Sequence, residues 1–219
     1  MAIDFTPTAR RLGLYSAVIT VILIVAYAVT LSIGLLSLTS PDQPIGDPLF
    51  SILEVLIIVM MPAMVVLMIA VHAWAPPHLK TLSLAAVLFM GLVAGVTCCI
   101  HFVILTLSRQ AAIAGQSWFP LLFAFKWPSV AYALDILGWD VFFPLSMLFA
   151  AAVFSGSRLA ASIRWSMIVS GVLALAGLIG VAFGDMQLRN VGIVGYVGVF
   201  LLVAVLLAIL FQREKPEEV

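Results

Sequence analysis

An all-α, polytopic bundle of six transmembrane helices is the fold this sequence predicts, and three observations predict it. Hydrophobic residues make up 64% of the 219 and charged residues only 9%, a composition no water-soluble core of this size needs. Apolar runs long enough to cross a hydrocarbon layer of ~30 Å recur along the chain. The polar stretches between them are short, so the expected organisation is one transmembrane domain over residues 1–219 with no soluble domain.

The first run follows Arg10 and Arg11, as a signal peptide would. It extends from Leu12 to Leu38, about twice a normal signal core, with no small-residue cleavage site at its end. The twin-arginine pattern around the pair is loose, so the run reads as a retained first helix, 12–38. PDQPIGDP separates it from a second helix, 49–75, and APPH separates that from a third, 79–108. The longest connection, 109–127, holds Gly115, Pro120 and two tryptophans and has room for a short surface helix. A fourth helix over 128–154 ends at FSGSR, a fifth covers 162–183, and a sixth, 190–212, runs into the polar tail QREKPEEV.

Orientation follows from the basic residues. With both termini inside, Arg10, Arg11, Lys80, Arg158, Arg164, Arg213 and Lys215 are cytoplasmic, and only Arg109, Lys126 and Arg189 are outside. Seven against three favours N-in, C-in. A prokaryotic inner membrane is the expected host. Gly91 and Gly95 in the third helix, Ala176, Gly180 and Gly184 in the fifth, and Gly192, Gly195 and Gly198 in the sixth are expected packing seams, because small residues let helix backbones approach closely in lipid. Such seams also permit a homo-oligomer without requiring one.

The stretch FKWPSVAYALDILGWDVFFPLSML, residues 125–148, raises the functional question, because it carries Asp135 and Asp140 in a segment that must live in lipid. Counting inward from the outer helix ends places Glu54 ~7 Å deep, His101 and Asp135 ~10 Å deep and Asp140 ~18 Å deep. Ionisable residues at such depth cost about 2.5–3.5 kcal/mol each on insertion, and they normally face the bundle interior. One cluster in the outer half, lined by Glu54, His101, Asp135 and Asp140, is therefore the expected site. Thr97 shares the stripe of His101, and Tyr132 and Trp139 share that of Asp135. Arg109, Lys126, Asp185, Arg189 and Asn190 lie at the mouth, where they could complete the cluster as ion pairs. Two bland readings stand beside this. Arg109 and Lys126 would snorkel to the surface, and Asp185 and Arg189, four apart in a tight turn, would form a loop salt bridge.

Asp135 and Asp140 lie about 140° apart on an ideal helix, so they are expected to address different neighbours. Pro144 should free the carbonyl of Asp140, and Pro62 that of Ile58. Met60, Met61, Met64 and Met68 form a stripe better suited to packing than to copper.

Several chemistries are excluded by the residue list. His72 and His101 lie at opposite depths, which rules out a bis-histidine haem. Lysines lie only at helix ends or outside the helices, which leaves none for a retinal Schiff base, and the adjacent Cys98 and Cys99 make no redox pair. Ten basic and ten acidic residues cancel, leaving no field for nucleic acid. Three classes survive. The first is a carrier or receptor for a small molecule, proton or cation. The second is a scaffold whose charges pair helices, and the third an intramembrane hydrolase with a metal on His101 and the carboxylates. No metal or other cofactor is assigned, and the bilayer is the expected partner.

Overall fold

The structure, a computed structural model, describes residues 5–40 and 43–214. Every regular element among them is helical. Six helices are long and apolar enough to cross a membrane: α1 Pro7–Leu36, α2 Leu49–Trp74, α3 Pro77–Arg109, α4 Val130–Ala151, α5 Arg158–Phe183 and α6 Asn190–Arg213. The chain is an integral membrane protein built as an all-α bundle. Two short helices, Ala111–Ala114 and Phe119–Phe123, occupy the α3–α4 connection. Lys215 and the end of the polar tail lie outside the described residues.

Capping sets the helix starts where hydropathy could not. α1 begins at Pro7 because the Thr6 hydroxyl accepts the Ala9 amide at 3.2 Å and proline suits a first turn. Ser129 caps α4 by accepting the Tyr132 amide, and Ser157 caps α5 by accepting that of Ala160, both at 3.1 Å. Arg10, already inside α1, donates to the carbonyls of Phe211 (2.9 Å) and Gln212 (2.8 Å) and so ties the start of α1 to the end of α6.

Helices adjacent in sequence pack as neighbours, and α6 returns to α1. The interior is rich in methionine: Met61, Met64, Met68, Met90, Met147 and Met167 are fully buried. Unbranched thioethers fill irregular gaps, and this is where the α2 methionine stripe goes. The carbonyl of Ile58, opened by Pro62, receives the Cys98 thiol at 3.8 Å.

The glycine seams divide in two. A Cβ at Gly91 or Gly95 would meet nothing within 4 Å, so among the described residues the α3 pair does not pack against another helix, contrary to expectation. Between α5 and α6 the seam is tight at Gly180, Gly192 and Gly195, whereas a Cβ at Gly184 would meet nothing within 4 Å and one at Gly198 only Val194 of its own helix at 4.0 Å, contrary to expectation. A Cβ at Gly195 would stand 2.7 Å from the Ser170 carbonyl and 2.8 Å from the Ala174 nitrogen, and the Ser170 hydroxyl donates to the Gly195 carbonyl at 2.8 Å. Spacing alone shows that a face is smooth, not whether a neighbour stands on it.

Two helices leave the α pattern near the end opposite the termini. Residues Leu137–Phe142 of α4 and Val194–Val199 of α6 are π-helical. Wide turns of this kind bond residue i to i+5 and redirect side chains, and here they flank the polar cluster.

Candidate functional site

α2 and α3 contribute the first pair. Glu54 and His101 are 4% and 3% exposed, and His101 Nδ1 bonds Glu54 Oε2 at 2.8 Å. Glu54 is held inside the bundle by this partner. The other ring nitrogen, Nε2, points at Asp135 Oδ1 from 3.9 Å, which is attraction without a hydrogen bond.

The turn between α5 and α6 supplies the centre. Gly184 closes α5 with a left-handed φ of 69°, and the Asp185 amide reaches back to the Gly180 carbonyl at 3.0 Å. This fold-back presses the turn onto Gly180, where a Cβ would lie 2.8 Å from the Arg189 nitrogen. Arg189 is thereby turned inward and is only 4% exposed. Its Nη2 meets Asp135 Oδ2 and Asp140 Oδ2, each at 2.8 Å, while Nε donates to Asp140 Oδ2 at 3.0 Å. The guanidinium lies over the Tyr132 ring, 4.8 Å from its centroid, a desolvated cation–π contact.

Two expectations are corrected here. Arg189 forms no loop salt bridge with Asp185, whose Oδ1 instead accepts the Gln187 amide at 2.9 Å. Asp135 and Asp140 do address different helices, yet they converge on one guanidinium. The 140° separation holds for an α-helix, whereas the π segment between them brings residues five apart toward a common side.

Asp140 is fully enclosed, and its Oδ1 has no hydrogen-bond partner. That oxygen lies against the backbones of Gly177 in α5 and Gly192 in α6. A Cβ on Gly177 would overlap it, and one on Gly192 would stand 2.7 Å away. Only glycine at both positions leaves room for the carboxylate.

The result is a five-member row of alternating sign: Glu54, His101, Asp135, Arg189 and Asp140. One flank opens on a cavity of about 320 Å³, lined by His101, Asp135 and Arg189 together with Tyr27, Tyr132, Trp139 and Tyr196. The remaining wall is apolar, with Ile57, Met60 and Met64 from α2 and Phe200 from α6. The rings form a connected set, Trp139 lying 5.1 Å from Tyr196 and 5.7 Å from Phe143 between centroids.

The remaining expected residues fall elsewhere. Thr97 is buried with its hydroxyl unpartnered beside Gly138, close to the row but outside the cavity lining. Lys126 and Asp185 line a separate vestibule at the loop surface, which shares Phe125 and Tyr132 with the main cavity. Asn190 donates to Gln187 Oε1 at 3.0 Å on the exposed side. Arg109 pairs with Asp47 at 3.0 Å and donates to Ser51 Oγ at 2.8 Å, away from the cluster.

The Ser51 hydroxyl, and then the Arg109 guanidinium, hold the Asp47 carboxyl below its ordinary range. A depressed folded-state value means that this interaction contributes above the unfolded value of about 4 and fades as pH falls through the lowered one. Arg109→Gln is expected to move the Asp47 titration upward in a carboxyl-carbon NMR experiment; an unmoved titration would remove Arg109 as a cause.

Tyr27 and Tyr196 were not expected, although both carried a signal. Tyr27 continues the α1 stripe of Thr20 and Ile24, and Tyr196 lies inside the glycine-rich run of the sixth helix. Among the described residues no three His, Cys, Asp or Glu side chains converge as metal ligands. The carboxylates of the row face Arg189 and His101 instead. No protein-family model, curated protein or solved structure matches the chain.

Proposed function

We propose that the protein is a carrier or receptor whose cavity binds a small molecule bearing a positive charge, and that the cavity lies in the outer half of the membrane. One observation carries the reading. Three carboxylates, Glu54, Asp135 and Asp140, face one guanidinium and one imidazole, so even with His101 charged the row keeps one unmatched negative charge. Buried charge without a partner is strongly disfavoured. A cation in the cavity, resting against Asp135 and the aromatic faces, would supply the missing partner. A proton would serve the same role, which places proton and ligand in competition for one site.

The probe is tetraphenylphosphonium, a monovalent organic cation, added to the protein in nanodiscs of zwitterionic lipid. Wild type is expected to bind it, and Asp135→Asn about tenfold more weakly, the equivalent of 1.4 kcal/mol of lost attraction. A thermal melt of the variant checks that the fold survives. Equal affinity in both proteins would sink the reading, as would no binding in either, and the row would then be a set of helix-pairing charges.

Sidedness has its own test. Gly115→Cys, between the two short helices of the α3–α4 connection, should react with a membrane-impermeant maleimide added outside intact cells. Protection there, with labelling only after lysis, would place the cavity in the inner half.

A further inference from the structure

The cavity has unequal walls. On the half of the bundle opposite the termini, α2 is held to α3 by the Glu54–His101 bond, and α3 runs along α4. α4 meets α5 and α6 where Asp140 enters between Gly177 and Gly192. α1 packs closely along α2. The last junction, α6 with α1, behaves differently. At the termini α1 is locked to α6, with Gly13 pressed on Phe211 and Arg10 bonded to the last α6 carbonyls. Beyond Phe200 the two helices part, and α1 scarcely touches residues 190–199. The cavity lies in this divergence, bordered by Ile24, Tyr27 and Leu31 on α1 and by Ile193, Tyr196 and Val197 on α6. The route toward the loop surface passes a pair of aromatic rings. Phe125 and Tyr132 meet edge to face at 5.4 Å between the cavity and the vestibule, and Phe125 also sits 5.6 Å from the His101 ring.

We propose that the ligand reaches the cavity sideways from the bilayer, through the gap between α1 and the first half of α6. The inference rests on the cationic reading above and narrows it to one class: an amphipathic amine or onium ion that partitions into the membrane. The physical reasons lie in the lining. Leu31, Ile193 and Val197, partly exposed on the outside of the bundle, and Ile24, buried behind them, offer an apolar passage where a strongly hydrated small cation gains nothing on entry. An apolar body lodges against the methionines and Phe200, and the charge meets the tyrosines and Asp135 at the inner end. A ligand of this kind is already concentrated in the phase that the gap faces.

The test closes each route in turn, in a background carrying Cys98→Ser and Cys99→Ser. Leu31→Cys with Ile193→Cys, joined by a bis-maleimide, ties the gap; Lys126→Cys with Gln187→Cys, joined likewise, ties the vestibule. Tetraphenylphosphonium kinetics are read in nanodiscs before and after linking. The gap link is expected to slow association and dissociation together, on the order of tenfold or more, leaving Kd unchanged because a barrier alters rates and not the end states. The vestibule link should leave both rates as they were. Slowing by the vestibule link alone overturns the lateral route and leaves the binding reading intact, as does a gap link that shifts Kd without slowing entry. If the unlinked protein binds no tetraphenylphosphonium, the binding reading has failed, and the lateral route fails with it.

Discussion

Arg189→Leu is expected to destabilise the protein by about 3–5 kcal/mol, because it strands buried carboxylates that lose their only guanidinium. Asp135 and Asp140 are 6% and 0% exposed, and both rest on Nη2 of this one side chain. Arg189→Lys should recover only part of the loss, since an ammonium lacks the rigid fork that gives Nε and Nη2 to Asp140 while Nη2 also serves Asp135. The informative variant removes the set. Arg189→Leu combined with Asp135→Asn and Asp140→Asn should regain most of the stability, because a buried ion group replaced as a whole is often near neutral. Asp185→Ala, in the same turn but on its exposed side, should stay within about 0.5 kcal/mol of wild type. Reversible unfolding in mixed micelles reads all four. A triple variant no more stable than Arg189→Leu would mean that Arg189 acts through something other than these carboxylates.

Gly177→Ala should follow at about 2–4 kcal/mol, more than an ordinary helix glycine-to-alanine change, which is normally favourable. The added methyl would overlap Asp140 Oδ1, an oxygen that also lies against Gly192 of α6. Moving the carboxylate would also lengthen its bonds to Arg189, so a steric change becomes an electrostatic one. Asp140→Ala creates the space, and in that background Gly177→Ala should cost less than about 1 kcal/mol. A full cost in both backgrounds would show that the glycine serves the bend between Ala176 and Leu178, where the α-helical run of α5 is interrupted, and not the carboxylate.

How far the site was legible can be argued residue by residue. Glu54, His101, Asp135 and Asp140 were visible because each is an ionisable group inside an apolar run, and depth could be counted from the helix ends. Arg189 was visible but misassigned. Four residues from Asp185 in a turn, it fitted a local ion pair, and only the fold-back over Gly180 turns it inward. Tyr27 and Tyr196 carry no charge and look like packing residues until the cavity between their helices is seen. Thr97 shares a helical stripe with His101, yet the helix turns it toward Gly138, one position off the cavity.

The amino-acid order by itself determined six apolar spans, their short connections and the placing of four ionisable groups within apolar runs. Those are local properties, readable wherever an apolar run is long enough or a polar residue interrupts it. The tertiary structure decided the rest: which charge meets which, that no described residue stands against Gly91 and Gly95 of α3 while Gly180, Gly192 and Gly195 are closely packed, and that α1 and α6 diverge around a cavity. The π turns in α4 and α6 belong to this second group, since an i+5 bond is chosen by what the side chains find across the bundle. Hydropathy follows from each residue's own chemistry, whereas pairing depends on where the neighbours stand.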